Sequence, residues 1–176
     1  MIDIGDFGPD LALTDQHGKP YALYSHDIAG ASNAMFFVEE ASPAALEDAV
    51  ALIRDRFKAP SSRAIAITPL AANSIGPIAD SVEFPVWSDP EGEMMTAIAG
   101  GRPVKKFAAA VFDRNGRLLA AGIDEDLGAL IGRAADLCVQ QSVLFDSGVV
   151  DSQAPVLLIP RILEPQECDQ LIDFWK

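Results

Sequence analysis

NAMFFVEEASPAALEDAVALIRDRF, residues 33–57, is the stretch whose reading decides the fold. Residues 33–38 form a continuous apolar run, which predicts a short strand buried on both faces. Two glutamates and an alanine break the run. From Ser42 onward Leu46, Val50, Ile53 and Phe57 recur at i, i+4, i+7 and i+11, one face of a helix. Ser42 is the expected N-cap and Pro43 the first helical residue, with Glu47 and Asp48 near the positive end of the helix. RAIAIT, residues 63–68, is a second buried strand stopped by Pro69. Strand, helix, strand at this spacing predicts a parallel pair joined by a crossover helix.

The flanks extend the pattern. Residues 71–81 read as a short, weak helix interrupted by Gly76 and Pro77. FPVWSD, 84–89, is a short strand, and Glu91 to Ala99 a short helix closed by Gly100 and Gly101. Upstream, DLALTDQHGKPYALY, 10–24, alternates on both sides of a polar turn that Gly18 supplies, as two short strands would. Downstream, FAAAVFDRNGRLLAA, 107–121, places two apolar runs around Asn115-Gly116, which predicts a type I′ hairpin. Residues 125–142 follow as an amphipathic helix with Leu127, Leu130, Ile131, Ala134, Leu137 and Cys138 on one side. The predicted order is hairpin, β, α, β, α, β, α, hairpin, α. That is an α/β chain with a mixed sheet and an antiparallel edge.

The bulk composition narrows function. The 176 residues are 49% hydrophobic, enough for one ordinary core and a little more. Thirteen basic against 26 acidic residues give a formal charge of -13. Such a surface repels phosphate backbones and anionic lipid, so neither nucleic acid nor a membrane is an expected partner. Cys138 and Cys168 have no CxxC or zinc-type spacing, and fit a reducing compartment. MIDIGDFGPD lacks the basic and apolar regions of an export signal. No window is apolar for long enough to span a bilayer. A soluble cytoplasmic protein is expected. The two histidines, His17 and His26, sit in polar, turn-like contexts, so no metal site or serine-histidine triad is expected.

Beyond residue 142 the character changes. Residues 143–154 are polar and turn-rich and read as a linker, leaving 1–142 as one domain. Residues 155–176, PVLLIPRILEPQECDQLIDFWK, read as an apolar strand, a proline break and a new helix. This strand-helix extension is either the opening of a second domain or a C-terminal helix packed on the first.

Several pieces, in order, resemble peroxiredoxins of the alkyl hydroperoxide reductase/thiol-specific antioxidant type. GDFGPDLALTDQHGKPYAL is similar to the family's opening, and FFVEEASP to its strand and Thr-Pro loop. EFPVWSDPEGEM is similar to its Phe-Pro-x-x-Ser-Asp-x-x-Gly stretch, and AVFDRNGRL to its Asp-ended strand and turn. The resemblance runs colinearly over residues 5–140. It implies a thioredoxin-like (peroxiredoxin-like) mixed sheet with helices on both faces. In that family the peroxidatic cysteine follows the Thr-Pro pair within the first helical turn, where the dipole and an arginine depress its pKa. Laid on this sequence, the motif puts Ser42 at the threonine, Pro43 at the proline, Ala45 at the cysteine and Phe107 at the arginine, with Lys105 and Lys106 just before it. Glu39 and Glu40 would further disfavour a thiolate. A serine at 42 has no base visible in the sequence.

The resemblance therefore implies a catalytically degenerate module, with no catalytic residue at the family positions. The alternative is a thiol-dependent peroxidase with a relocated nucleophile, Cys138. Cys138 lies on an apolar helix face, where cysteine acts as a small hydrophobe. Cys168 lies between Glu167 and Asp169, which raise a thiol pKa. A third reading has the old peroxide pocket, with Ser42, the first-turn N–H groups and Phe107, binding a small ligand. The tail APVLLIPRILEPQECDQLIDFWK resembles the start of prolyl-4-hydroxylase-type dioxygenases, which use Fe(II) and 2-oxoglutarate. That family's iron ligands are a His-x-Asp pair and a distant His. No His-x-Asp occurs here and no histidine follows His26, so the iron and 2-oxoglutarate would belong to a downstream domain. The implied partners are that oxygenase domain of the same protein and a second copy in a homodimer.

Overall fold

The computed structural model of the chain describes residues 2–26, 28–104 and 106–144. The readings of the linker beyond residue 144, of the strand-helix extension at 155–176 and of Cys168 lie outside the described residues.

The elements follow the predicted order. β1 (Leu13–Thr14) and β2 (Pro20–Tyr21) make a small hairpin; β3 (Ser32–Val38) leads into α1 (Pro43–Arg56) and β4 (Ser62–Thr68). A 3₁₀ turn (Ala72–Ser74) and α2 (Gly76–Ala79) precede β5 (Val86–Ser88) and α3 (Glu93–Ala99). The hairpin β6 (Phe107–Phe112) and β7 (Leu118–Asp124) precedes α4 (Leu127–Leu144). α4 thus runs two residues into the stretch read as linker. The weak helix expected at 71–81 is split because Gly76 and Pro77 start a new turn instead of interrupting one. Proline has no N–H to lose at a helix start.

The seven strands form one mixed sheet, ordered β2-β1-β5-β4-β3-β6-β7. β3, β4 and β5 are parallel neighbours, and β6 runs antiparallel to β3 with β7 on the edge. The apolar run that fixed the reading is central, and all seven residues of β3 are buried. Its side chains divide strictly by the two-residue period. Ala34, Phe36 and Val38 face a core with α1, α2 and α4; Met35 and Phe37 face a second core with α3, Leu13, Leu23 and Trp87. Helices therefore cover both faces. In α1 Leu46, Val50 and Ile53 are buried as their spacing predicts. Phe57 ends the helix and packs edge-on against Phe36 at 5.8 Å.

One turn differs from expectation. A type I′ turn needs positive φ at both central residues. Among the described residues only Ser61 is a non-glycine with positive φ, so Asn115 does not qualify. The Asp113 N–H donates to the Arg117 carbonyl and the Gly116 N–H to the Asp113 carbonyl. Gly116, at φ 79°, takes the left-handed position of a three-residue loop. The Asp113 carboxylate selects this loop by accepting N–H bonds from Asn115 and Arg117, at 2.8 and 2.9 Å. A Cβ at Gly116 would also meet the Tyr24 ring at 2.6 Å.

Candidate functional site

The parallel strands β3 and β4 end at Val38 and Thr68, and the start of α1 lies at this end of the sheet. Ser42 caps the helix in extended geometry, φ −130° and ψ 138°, with Pro43 in the first turn. Its Oγ accepts the Ala45 N–H at 3.1 Å and donates to the Glu40 carboxylate at 2.9 Å. Glu40 is the partner that the sequence did not make visible. It is exposed, and the hydroxyl it holds is already committed to the helix start. Val38 pairs with Phe107, and the Glu39 N–H donates to the Lys106 carbonyl at 3.1 Å. These bonds bring Ser42, Pro43, Ala45 and Phe107 to the same end of the sheet. Ala45, half-buried, packs on the core cluster that contains Phe107. The Lys106 ammonium lies over the Phe107 ring, 5.2 Å from its centroid. Ala45 offers a methyl and Phe107 a ring, so neither position can attack, protonate or polarise a substrate.

A hollow of about 10 Å³ lies among Phe37, Val38, Ile67, Thr68, Asp89 and Met95. That is about the minimum for one water. Asp89 is 4% exposed. Its two oxygens accept the Glu93, Met94 and Met95 N–H groups at 3.0 to 3.2 Å. They satisfy the first turn of α3, whose preceding residue, Gly92, has φ 65° and no side chain to cap with. Beside it the Ser88 hydroxyl donates to the Leu70 carbonyl at 2.7 Å. The Ser-Asp pair is therefore a structural clamp.

Cys138 lies within α4 at 0% exposure, in the core with Leu46, Ile53 and Ile131. Burial pushes its thiol pKa up, opposed in part by a hydrogen bond with Ser62. The neutral thiol is therefore favoured at neutral pH.

The opposite end of the sheet is open. A cleft of about 970 Å³ lies where β4 and β5 begin and α1 ends. Arg54, Lys58 and Arg63 bring three cations to it, and Phe57, Phe84 and Trp87 bring rings. Asp15 and Glu83 also line it. Nη1 of Arg63 is buried and has no hydrogen-bond partner among the described residues. The sequence did carry a sign of this. Arg63 is the one charged residue in the strand Ser62–Thr68, otherwise apolar or hydroxylated. It is easily read as the strand's polar start.

Among the described residues no group of three or more His, Cys, Asp or Glu side chains converges to hold a metal, and no helix is long and apolar enough to cross a membrane.

No protein-family model matches the chain, and neither does any curated protein. Solved structures do. The chain is similar to the peroxidoxin BcpB of Mycobacterium tuberculosis, with TM-score 0.63 and 21% identity over 84% of this chain and 100% of that one. It is similar to a Xanthomonas campestris bacterioferritin comigratory protein, with TM-score 0.58 and 16% identity over 81% and 99%. It is also similar to a Chlorobium tepidum protein described as the thiol:disulfide interchange protein DsbE, with TM-score 0.56 and 21% identity over 79% and 99%. These likenesses establish a thioredoxin-like fold of the peroxiredoxin and DsbE type.

Proposed function

We propose that this domain is a peroxiredoxin-like scaffold without peroxidase chemistry. It would serve in association, stabilisation or partner binding within an oxygenase that uses Fe(II) and 2-oxoglutarate. The observation that carries the proposal is the start of α1. There Ala45 stands where the resembled family keeps its thiol, with its N–H already taken by Ser42 Oγ. Phe107 at the arginine position and the 10 Å³ hollow nearby support it. Burial of Cys138 weighs against the second reading, a peroxidase with a relocated nucleophile, because thiolate chemistry needs an accessible, ionisable thiol. The core position of Cys138 suits its role as a small hydrophobe. The ligand-binding reading of the old pocket is weakened by the committed Ala45 N–H and by Glu40.

The test is hydroperoxide consumption with a thiol reductant, by the native chain and by Cys138→Ser. No turnover above the buffer rate supports the scaffold. Turnover that Cys138→Ser abolishes replaces it with the second reading.

The oxygenase half rests on the tail's resemblance. The iron and 2-oxoglutarate would be held by the following domain, since His17 and His26 both precede β3 and belong to no such metal-binding group among the described residues. The reading frame past Lys176 decides this. A His-x-Asp with a later histidine and a basic residue supports the oxygenase, and a stop codon removes it. A reducing, cytoplasmic setting and self-association belong to the same proposal; sedimentation of the purified chain tests the latter.

A further inference from the structure

We infer that the cleft at the start of β4 and β5 is a binding site for a small molecule that joins an oxyanion to an apolar body. Arg63 is its anion-reading residue. The inference is independent of the fate of position 45. α1 has 14 residues and so separates the two regions by about 21 Å.

Three observations carry it. The first is size: about 970 Å³ is at the upper end of cavities that hold small ligands. The second is composition. In a chain with twice as many acidic as basic residues, Arg54, Lys58 and Arg63 meet in one cleft with the rings of Phe57, Phe84 and Trp87. Two acids, Asp15 and Glu83, line it as well; Oδ1 of Asp15 accepts the N–H groups of His17 and Lys19 at 2.8 and 2.9 Å. The third is Nη1 of Arg63, buried and without a hydrogen-bond partner among the described residues. Folded proteins seldom leave a charged donor in that state, because it loses water without gaining a partner. A bound oxyanion would supply the partner. The planar guanidinium fork fits carboxylate and phosphate oxygens, with Lys58 and Arg54, the latter paired with Asp55 at 3.3 Å, adding charge at more exposed positions. The half-buried Phe57 and Phe84 offer apolar contact to the rest of the ligand, and Tyr21, stacked on the buried Trp87 at 5.8 Å, couples the cleft to that indole.

The test is a fluorescence titration of the full chain carrying Trp175→Phe, which leaves Trp87 as its one tryptophan. The probes are cyclohexanecarboxylate and cyclohexyl phosphate, which separate the two oxyanion sources, with cyclohexanemethanol as the neutral control. The expected result is a saturable change with at least one anion below about 10 mM, and a weaker, non-saturating one with the alcohol. Arg63→Gln should raise the apparent Kd at least tenfold, and Arg63→Lys by less, since it keeps charge but loses the fork. Should Arg63→Gln fail to fold by circular dichroism, Arg63→Met, which keeps the apolar stem, takes its place. The ligand-free Tm of the variant should be no lower than native, because a donor without a partner has been removed. Three results would each overturn the inference: no saturation with either anion, an equal response to the alcohol, or an unchanged Kd without Arg63.

Discussion

The two ends of the parallel strands are opposites. Where β3 and β4 end, Ser42 is answered by Ala45 and Glu40 and Asp89 by three amides, and the hollow beside them measures about 10 Å³. Where β4 and β5 begin, a wide cleft opens beside a guanidinium nitrogen that no group among the described residues answers. The sheet geometry makes the first end the usual place for chemistry, since helix N-termini point their N–H groups there. Here the Ala45 N–H of α1 and the Glu93, Met94 and Met95 N–H groups of α3 are spent on holding the helices. The lesson is that motif-like residues divide by the work they do. Ser42, Asp89 and Asp113 carry motif-like polar groups that bear structure, while Ala45 and Phe107 at the same end of the sheet as Ser42 carry only a methyl and a ring.

The largest expected effect comes from restoring a thiol to the first end. Ala45→Cys, made in a Cys168→Ser background, should react with a disulfide reagent at least a hundredfold faster than buried Cys138, because it sits in the first turn of α1. Glu40 will hold its pKa above that of a thiol at an unopposed helix start. Hydroperoxide turnover in this variant alone would show that the scaffold still accommodates substrate. Labelling no faster than Cys138 would show that the α1 start is closed to solvent, and the contrast between the ends would then be one of access.

Next in size is Asp89→Ala. It deletes the acceptor for three N–H groups of α3 at a buried site. The expected cost is about 3 kcal/mol, or about 6–12 °C in Tm for a domain of this length. Calorimetry checks it. A loss below about 1 kcal/mol would mean that the clamp is ordinary capping.

Much of this was legible because it is local. NAMFFV announces a central strand by its lack of polar residues, and Leu46, Val50 and Ile53 announce the buried face of α1. The order of elements followed from those periods alone. The hairpin turn was misread because Asn115-Gly116 states a preference of two residues. The Asp113 carboxylate outweighs it by bonding two N–H groups across the loop. Glu40 beside Ser42 was hidden because a bend of the chain, not a helical spacing, brings them together. The cleft was hidden most completely. Its lining comes from the β1–β2 turn, the end of α1, the start of β4 and the approach to β5. No window of sequence contains it.

A smaller effect belongs to Ser42→Ala. Losing the cap should cost about 1 kcal/mol, read as a lower denaturant midpoint at unchanged slope. Ser42→Asp should recover most of it, since a carboxylate can accept the same N–H at a favourable helix end. If Ser42→Ala lost instead a measurable activity, the hydroxyl would be chemical after all, and the first end of the sheet would not be purely structural.

The smallest effect tests Cys138 as a core residue. Burial raises its thiol pKa in the folded state above the ordinary value of 9.0. Above that pH the unfolded chain releases the proton while the folded chain keeps it. The unfolded state then binds fewer protons, so stability falls as pH rises through 9. The loss should be about 0.4 kcal/mol at the unfolded-state pKa, steepening towards about 1.4 kcal/mol per pH unit beyond it. Tyr24, whose pKa burial also raises, pulls in the same direction above pH 10. The informative quantity is therefore a difference in slope between native and Cys138→Ala, not the stability of either. Denaturant unfolding at pH 8, 9 and 10 measures it. A shallower alkaline slope in Cys138→Ala makes the thiol a buried neutral group. Equal slopes would mean that Cys138 ionises as readily folded as unfolded, the condition a relocated nucleophile needs, and would reopen the peroxidase reading on the side of the sheet where this structure shows only packing.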